Sequence, residues 1–296
     1  MLEEFEYNGK AMGTDYSIAI VCDSKELADR LYDNTKNDIH EYESCFSRFL
    51  PNSELSILNE NKSMIVSKKL FYVTEKSYEL FTTTRGIFNP LIQVSRLGYD
   101  KNFNDIKDVL NTEDNSYYDI DFSSVVLDKN KLHINLNEGQ RLDYGGFLKG
   151  YLAEILAKKI KLYSNKINGV IVNLGGDIYT EGLDKNGEKF VFNIYNPVLK
   201  NNEINVTLYN QGLATSGIYK RSWSFIGKKM HHILDFSGKK NPESDVVSAS
   251  VIHRDGAIAE AFTKVFISVD YKEALKILGN DIKFVIIKNN GEVVKN

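Results

Sequence analysis

The sequence predicts an α+β fold in which mostly antiparallel sheets are flanked by helices. Candidate strands follow one another across short turn signals, as at residues 184–187 and 227–228, and helical periodicity is confined to separate blocks. Short turns join antiparallel neighbours, whereas a parallel sheet needs a long crossover between consecutive strands. The chain has only four prolines, and no low-complexity tract suggests a flexible linker. We therefore expect residues 1–296 to form a single domain.

The first third of the chain predicts one strand followed by three helices. Residues 15–22 alternate between polar and apolar side chains, as in a half-buried strand. Ser24 and Ser53 can each cap a helix, because a serine hydroxyl accepts a hydrogen bond from an amide of the first turn. Apolar residues three and four positions apart predict a third helix over residues 67–82.

The remaining chain predicts strands on either side of a central helix that begins after residue 146. Residues 104–122 are acidic and polar, and we interpret them as loop and short turns. Strands are predicted at residues 125–127, 132–136, 170–174, 189–195, 203–209, 222–226, 229–234 and 246–253. Helices are predicted near residues 257–267 and 271–279, followed by a closing hairpin over residues 283–294. No internal repeat is evident.

Composition and charge argue against several classes of function. The net charge of -3 gives no reason to expect binding to nucleic acid or to an anionic membrane. The first six residues include three glutamates and lack the pattern of a signal peptide, and no apolar window is long enough to span a membrane. Cys22 and Cys45 suggest neither a disulfide framework nor a metal site, and we interpret both as core residues. We expect a cytoplasmic protein without nucleic-acid or membrane partners.

Residues 141–151 carry the strongest local indication of a binding site. An extended entry and a glycine turn lead there into an amphipathic helix. Gly145 and Gly146 permit a sharp turn close to a ligand, and the first amides of a helix favour an anion. Lys149 adds a cation in the first turn, where a lysine is electrostatically unfavourable and requires a negative partner. The pattern indicates a phosphate site; a turn that serves only packing is the alternative.

Three further segments carry side chains that can take part in chemistry. His231 and His232 face opposite sides of a predicted strand, so only one of them can enter a given pocket, as a general base or as a structural residue. Thr215 and Ser216 offer hydroxyl groups beside a glycine, either to a ligand or within a simple turn. Asp177 closes a glycine turn after a buried strand, where ligand clefts often lie. A turn with only local hydrogen bonds is the alternative for Asp177.

Glu260 and Lys264 lie four residues apart on a predicted helix. A Glu–Lys pair at this spacing is most simply a surface ion pair, worth about 0.3–0.5 kcal/mol. The common glycine-rich nucleotide motifs, the His-Glu-x-x-His zinc motif and paired cysteines do not occur. No single motif therefore identifies the function.

Seven segments, taken in their order along the chain, resemble the ApbE-type flavin transferases, or FAD:protein FMN transferases. The segments are 12–14 (MGT), 53–59 (SELSILN), 86–91 (GIFNPL), 142–151 (LDYGGFLKGY), 173–177 (NLGGD), 214–217 (ATSG) and 231–235 (HHILD). The resemblance extends from residue 11 to about residue 280, which is essentially the whole chain.

The resemblance implies a T-fold-like α+β architecture and an enzyme that uses FAD as its substrate. Members of the family transfer the FMN part of FAD to a threonine or serine hydroxyl of an acceptor flavoprotein and release AMP, and magnesium is the expected metal. Two alternatives stay open. One is a non-catalytic protein of the same fold that binds FAD or FMN, and the other is an FAD pyrophosphatase in which water replaces the acceptor hydroxyl.

The resemblance also places the family's functional positions on particular residues. It implies that His232 accepts the proton of the incoming hydroxyl and that Lys149 provides positive charge for catalysis. The implied cofactor-binding residues are Met12, Phe49, Asn89, Pro90, Leu91, Asp143, Lys149, Thr215, Ser216 and Ile233. These roles suit the chemistry, because the attacked phosphorus carries anionic oxygens and needs positive charge and an oriented nucleophile.

The positions that hold the metal in the family depart from its pattern in this sequence. They correspond to Leu148, through its backbone carbonyl, and to Glu260 and Lys264. An ammonium group cannot ligate a metal, and magnesium tolerates a misplaced carboxylate poorly. Three outcomes are open: Thr263 replaces Lys264 as a ligand, the Lys264 ammonium replaces the metal, or the protein binds flavin without transferring it.

Overall fold

The computed structural model describes residues 1–98, 117–279 and 281–296, which form six α-helices and fifteen β-strands. The helices are α1 (Lys25–Phe46), α2 (Glu54–Asn61), α3 (Lys68–Thr83), α4 (Leu148–Tyr163), α5 (Gly256–Ser268) and α6 (Tyr271–Leu275). The strands are β1 (Glu3–Ala11), β2 (Thr14–Cys22), β3 (Ser63–Ile65), β4 (Val126–Asp128), β5 (His133–Asn135), β6 (Gly169–Leu174), β7 (Asp177–Gly182), β8 (Phe190–Asn196), β9 (Asn201–Leu208), β10 (Gln211–Gly217), β11 (Ser222–Phe225), β12 (Lys228–His231), β13 (Val246–His253), β14 (Lys283–Lys288) and β15 (Val293–Lys295).

Eight strands form the central sheet, in the order β1-β2-β6-β7-β10-β13-β14-β15, and every neighbouring pair is antiparallel. Helices α1, α4 and α5 cover one face of this sheet. The β8–β9 hairpin packs on the other face through Ile194 and Leu208. Strands β2 and β13 are buried along most of their length because both faces of the sheet are covered there.

Strand β1 forms one edge of the sheet and alternates between its two faces. Phe5 and Tyr7 turn toward helix α1, where the rings of Tyr7 and Tyr32 stack with 4.4 Å between their centroids. Glu4 and Glu6 are exposed to solvent at the alternate positions. The strand therefore contributes to the core on one side only.

Side-chain caps fix the starts of most helices. Ser24, Ser53, Ser67 and Asp255 each accept a hydrogen bond from an amide in the first turn of α1, α2, α3 and α5. Helix α4 differs, because its N-cap residue Phe147 makes no such bond. Phe147 is instead fully buried among other aromatic rings, so packing fixes the start of α4.

Two apolar clusters lie beneath the helices. One joins α1 and α4 to strands β2 and β6, and the other surrounds α3 and α5. Met12 and Tyr42 pack against both clusters, so the two are continuous at this point. This continuity supports the expected single domain, which stays a prediction for residues 1–296. No helix among the described residues is long and apolar enough to cross a membrane.

The α+β prediction is confirmed, and most predicted elements occur within a few residues of their expected bounds. Strands β1, β3, β7 and β10 were not predicted, and residues 213–217, for which a turn was one interpretation, lie in β10. The strand predicted over 229–234 ends at His231, and the helix predicted over 271–279 ends at Leu275. Most of the segment interpreted as loop, residues 104–116, lies outside the described residues.

Candidate active site

A cleft of about 750 Å³ opens beside the start of α4. Its walls come from segments that are far apart in the sequence. They are the β1–β2 turn, the end of α1, residues 87–94, the start of α4, the β6–β7 turn, the end of β10 with the residues after it, the segment after β12, and one side of α5. The fold thus places most of the sequence-predicted segments around one space.

Gly145 and Gly146 line this cleft immediately before α4. The Gly145 N–H donates to the Asp143 carboxylate at 2.9 Å, so this amide is bonded within the turn. The same carboxylate lies 3.3 Å from the Arg48 guanidinium. A Cβ at Gly146 would collide with the ring of Phe88, which explains why glycine is needed there. The glycine turn is therefore present at the cleft, with one of its two amides already engaged.

Lys149 extends from the first turn of α4 toward two buried carboxylates. Its ammonium binds Asp177 Oδ2 and lies 2.9 Å from Glu260 Oε1. Asp177 begins β7, directly after Gly175 and Gly176, whose positive φ angles of 69° and 101° make the sharp turn from β6 possible. Lys149 was expected to need one negative partner, and it has two, Asp177 and Glu260.

Glu260 is fully buried. It belongs to a group of four charged side chains, named here the charged quartet: Lys149, Asp177, Glu260 and Lys264. Glu260 Oε1 accepts hydrogen bonds from Lys149 and, at 3.0 Å, from Lys264. Its Oε2 accepts the backbone N–H of Gly150 at 2.8 Å. The interpretation of Glu260 and Lys264 as a surface ion pair is wrong, because α4 packs over this side of α5 and covers the carboxylate.

Burial and charge act in opposite directions within the quartet. Burial alone lowers the pKa of Lys149, but Asp177 and Glu260 outweigh it and raise this pKa above its usual value. Burial alone raises the pKa of Glu260, but the two ammonium groups and the Gly150 amide lower it to about 2. For the other two members burial prevails, so the pKa of Asp177 is raised and that of Lys264 is lowered. Lys149 and Glu260 form the charged centre of the quartet.

His232 lines the cleft one residue beyond the end of β12. Burial lowers its pKa to about 3, and the charges of Arg221 and Lys264 act in the same direction, so its imidazole is neutral at pH 7. Its Nδ1 has no hydrogen-bond partner among the described residues. His231 lies in β12 and is not part of the cleft lining. The expectation that only one of the two histidines enters the pocket is therefore confirmed.

Thr215 and Ser216 lie near the end of β10, and both line the cleft. Thr215 Oγ1 is 2.8 Å from the hydroxyl of Ser250, and Ser216 Oγ is 2.6 Å from that of Thr263. Thr263 is fully buried, and its hydroxyl donates to the backbone carbonyl of Glu260 at 2.6 Å. Thr263, the considered substitute for Lys264 as a metal ligand, therefore engages its hydroxyl inside the protein and lies outside the cleft lining.

The other sequence-predicted cofactor positions also line the cleft, with one exception. Those in the lining are Met12, Phe49, Asn89, Pro90 and Ile233. Leu91 is the exception: its side chain is buried in the core, and its amide donates to Asn89 Oδ1 at 2.9 Å. The Arg48 guanidinium lies 4.5 Å from the centre of the partly exposed Phe49 ring. This pair offers a flat surface suited to an aromatic ligand.

The residues at the family's metal positions do not fit a divalent cation. Magnesium requires near-octahedral oxygen ligands at about 2.0–2.1 Å. Both oxygens of Glu260 already accept N–H hydrogen bonds, and Lys264 has no lone pair to offer. Leu148 is part of the cleft lining. Within the described residues, no group of three or more histidine, cysteine, aspartate and glutamate side chains is arranged to hold a metal.

Sequence reasoning missed several side chains that the fold brings to the cleft. Arg48, Arg221 and Tyr219 line it, and nothing in their local sequence indicates this position. Asp177 was a candidate because it follows a strand end, but its role as the partner of Lys149 depends on a contact between residues 28 positions apart. Tertiary packing therefore supplies much of the positive charge around the cleft.

Residues 12–286 match the sequence model of the ApbE family. A protein from Klebsiella pneumoniae named FAD:protein FMN transferase is 22% identical over 300 residues, which cover 98% of this chain and 91% of that protein. A protein of the same name from Buchnera aphidicola (subspecies Baizongia pistaciae) is 26% identical over 315 residues, which cover 95% of this chain and 85% of that protein.

The fold is similar to two crystal structures in particular. The apo form of flavinyl transferase ApbE from Pseudomonas stutzeri aligns with a TM-score of 0.80 at 16% identity, over 100% of this chain and 94% of that one. The ApbE protein from Thermotoga maritima aligns with a TM-score of 0.81 at 22% identity, over 99% of this chain and 97% of that one. At these identities the likeness establishes the fold. Together with the sequence match over residues 12–286, it confirms the resemblance seen in the seven ordered segments: the chain belongs to the ApbE family.

Proposed function

We propose that this protein is an FAD:protein FMN transferase, which cleaves FAD and attaches FMN through a phosphoester to a threonine or serine of an acceptor flavoprotein. Relatives that carry this name align along nearly the whole chain, which supports the proposal. The observation that carries it is that His232, with a neutral imidazole, and Lys264 both line one cleft at the start of α4.

The proposed reaction forms one bond and breaks one at the same phosphorus. The acceptor hydroxyl oxygen attacks the FMN-side phosphorus of FAD, and its proton passes to His232. The bridging P–O bond breaks, and AMP leaves with the electron pair. FAD and the hydroxyl thus give phosphoester-linked FMN, AMP and one proton. Fixed positive charge near the phosphates lowers the barrier, because negative charge develops on the leaving oxygen.

Each candidate residue has a role in this proposal. Lys149, held by Asp177 and Glu260, provides positive potential at the start of α4, where the helix dipole acts in the same sense. The residues that would bond the polar parts of FAD are Asp143, Thr215 and Ser216, and those that would contact its ring systems are Met12, Phe49, Asn89, Pro90 and Ile233. Leu91 would support the adjacent Pro90 from the core.

Several finer expectations stay predictions. Magnesium is the metal expected from the family, but the proposal assigns it no step, because the residues at its positions do not fit it. The cytoplasmic location and the lack of nucleic-acid or membrane partners rest on the sequence alone. An FAD pyrophosphatase and a flavin-binding protein without turnover are the two alternatives, and one experiment separates all three.

In that experiment the purified protein is incubated with FAD and an acceptor flavoprotein that carries a threonine at its flavin-attachment site. The control acceptor has valine in place of that threonine. We expect only the threonine acceptor to gain one FMN, measured by intact mass, with one AMP released for each FMN attached. Release of AMP without a change in acceptor mass would instead identify a pyrophosphatase. Bound FAD with neither product would identify a binding protein.

A further inference from the structure

Lys264 stands at one of the family's metal-ligand positions, and this residue belongs to the cleft lining. Its side chain is 17% exposed, whereas the Glu260 carboxylate that holds it has no exposed surface. Among the described residues, Lys264 Nζ makes one hydrogen bond, to Glu260 Oε1 at 3.0 Å. A protonated lysine has three N–H donors, so two of them remain for a ligand in the cleft.

A divalent cation cannot share this position with the quartet as it stands. Glu260 Oε1 is bonded to the amino groups of both Lys149 and Lys264, so a metal on this oxygen would have to displace one of them. Like charges a few ångströms apart in a buried site repel strongly. Displacing Lys149 would also break its bond to Asp177. The quartet pairs two basic with two acidic side chains, so its formal charges balance without a metal.

We propose that Lys264 takes the place of the family's divalent cation: its ammonium binds the diphosphate of FAD directly, and FAD binding needs no metal. The identity of the ligand rests on the proposed function. An incoming diphosphate also counteracts the effect of burial on Lys264, because a nearby negative charge favours the ammonium form. The same ammonium then lies beside the phosphate that leaves as AMP.

Helix α4 offers a matched control for Lys264. Helices α4 and α5 share the pattern Gly-x3-Glu-x3-Lys, formed by Gly150, Glu154 and Lys158 in one and by Gly256, Glu260 and Lys264 in the other. Lys158 binds Glu154 at 2.6 Å with the same four-residue spacing. Its side chain is 45% exposed and lies outside the cleft lining. Lys158→Thr therefore removes the same kind of ion pair without changing the cleft.

The first test uses the unchanged protein without an acceptor. FAD affinity is measured by flavin fluorescence in EDTA and in excess magnesium, and Mn²⁺ binding to the FAD complex is measured by electron paramagnetic resonance. We expect the same dissociation constant for FAD in both conditions and no loss of the free Mn²⁺ signal beyond that caused by FAD alone. An FAD affinity about tenfold weaker in EDTA, or Mn²⁺ captured by the protein, would overturn the proposal.

The second test compares Lys264→Thr with Lys158→Thr. We expect Lys264→Thr to weaken FAD binding about tenfold in EDTA, as for the loss of one charge-assisted hydrogen bond. Excess magnesium should restore part of this affinity, because threonine and Glu260 then offer oxygen ligands. Lys158→Thr should bind FAD as the unchanged protein does. Unaltered FAD affinity of Lys264→Thr in EDTA contradicts the proposal, and if this variant does not fold, the first test still decides.

These measurements separate failure of this inference from failure of the proposed function. FAD binding that is independent of metal, in a protein that transfers no FMN, would sustain the role of Lys264 and contradict the transferase. Transfer that occurs only with magnesium, together with metal-dependent FAD binding, would sustain the transferase and contradict the role of Lys264. A protein that binds FAD neither in EDTA nor in excess magnesium would contradict both the transferase and the role of Lys264.

Discussion

His232 combines two properties that a general base needs at neutral pH. Burial, reinforced by the charges of Arg221 and Lys264, lowers its pKa to about 3, so the ring is neutral at pH 7 and its basicity must rise before it accepts a proton readily. Its Nδ1 has no competing partner among the described residues. Phosphates bound beside the ring would raise its pKa and stabilise the imidazolium that burial disfavours. The ring is therefore suited to act when FAD is bound.

We expect His232→Asn to lower the rate of FMN transfer roughly 10²–10⁴-fold, because it removes the proton acceptor. FAD affinity should change little, since asparagine keeps a neutral side chain that can still form hydrogen bonds. Transfer is measured from acceptor mass and FAD affinity from flavin fluorescence. His231→Asn is the neighbouring control, because this ring also has an unpartnered Nδ1 but lies outside the cleft lining. Equal losses of transfer rate in the two variants would indicate a structural effect. Unimpaired transfer by His232→Asn would show that His232 is not the proton acceptor.

For single residues, the sequence shows that a charged side chain needs a partner more reliably than it shows which residue that partner is. The place of Lys149 in a first helical turn implied a negative partner, but the distances along the chain to Asp177 and Glu260 are 28 and 111 residues. The spacing of Glu260 and Lys264 predicted their ion pair. Its burial was not predictable, because it depends on the packing of a second helix over the pair.

Helices α4 and α5 cross at a pair of glycines. A Cβ at Gly150 would collide with the backbone carbonyl of Gly256, and a Cβ at Gly256 would collide with that of Gly150. Each helix also supplies a glutamate to the other: Glu154 accepts the Gly256 N–H at 2.7 Å, and Glu260 accepts the Gly150 N–H at 2.8 Å. This reciprocal contact covers Glu260 and so creates the buried environment of the quartet.

We expect Gly150→Ala to destabilise the protein by about 1–3 kcal/mol, because the added methyl group would force the two helices apart. In an isolated helix the same substitution would stabilise by about 1 kcal/mol, because alanine has the higher helix propensity. A loss of stability therefore reports the close contact between the two helices. The free energy of unfolding is measured by chemical denaturation. Leu162→Ala, at an exposed position of α4, is the control and should lie within about 0.5 kcal/mol of the unchanged protein. A stabilised Gly150→Ala variant would contradict the close crossing.

Helices were more predictable than strands in this chain. The capping serines located the starts of α1 and α2, and the apolar periodicity predicted residues 67–82 for α3, which spans Lys68–Thr83. Strand β1 carries several charged residues and β10 contains two glycines, so neither matches the usual composition of a strand, and only pairing within the sheet reveals them. The pattern shared by α4 and α5 is also visible in the sequence, but nine residues are too few to register as a repeat without the structure.

For the molecule as a whole, the order of short segments was a better guide than any one of them. The seven segments identified the family, and the fold brings residues from six of them to one cleft. Sequence reasoning could not place Arg48, Arg221 or the lysines relative to one another, since these distances depend on how the sheet and the helices pack. It also could not show that the side chain of Leu91 is buried in the core and lies outside the cleft lining.

The exposed row of glutamates on β1 has a consequence for self-association. Among the described strands, β1 has a partner on one side only, so its outer backbone groups are free to pair with another extended chain. Glu4 and Glu6 oppose such pairing, because two copies joined edge to edge would bring like charges together. We expect concentrated protein to scatter light as a single small species and Glu4→Val with Glu6→Val to aggregate. An equally clear solution of the double variant would show that these charges do not protect the edge.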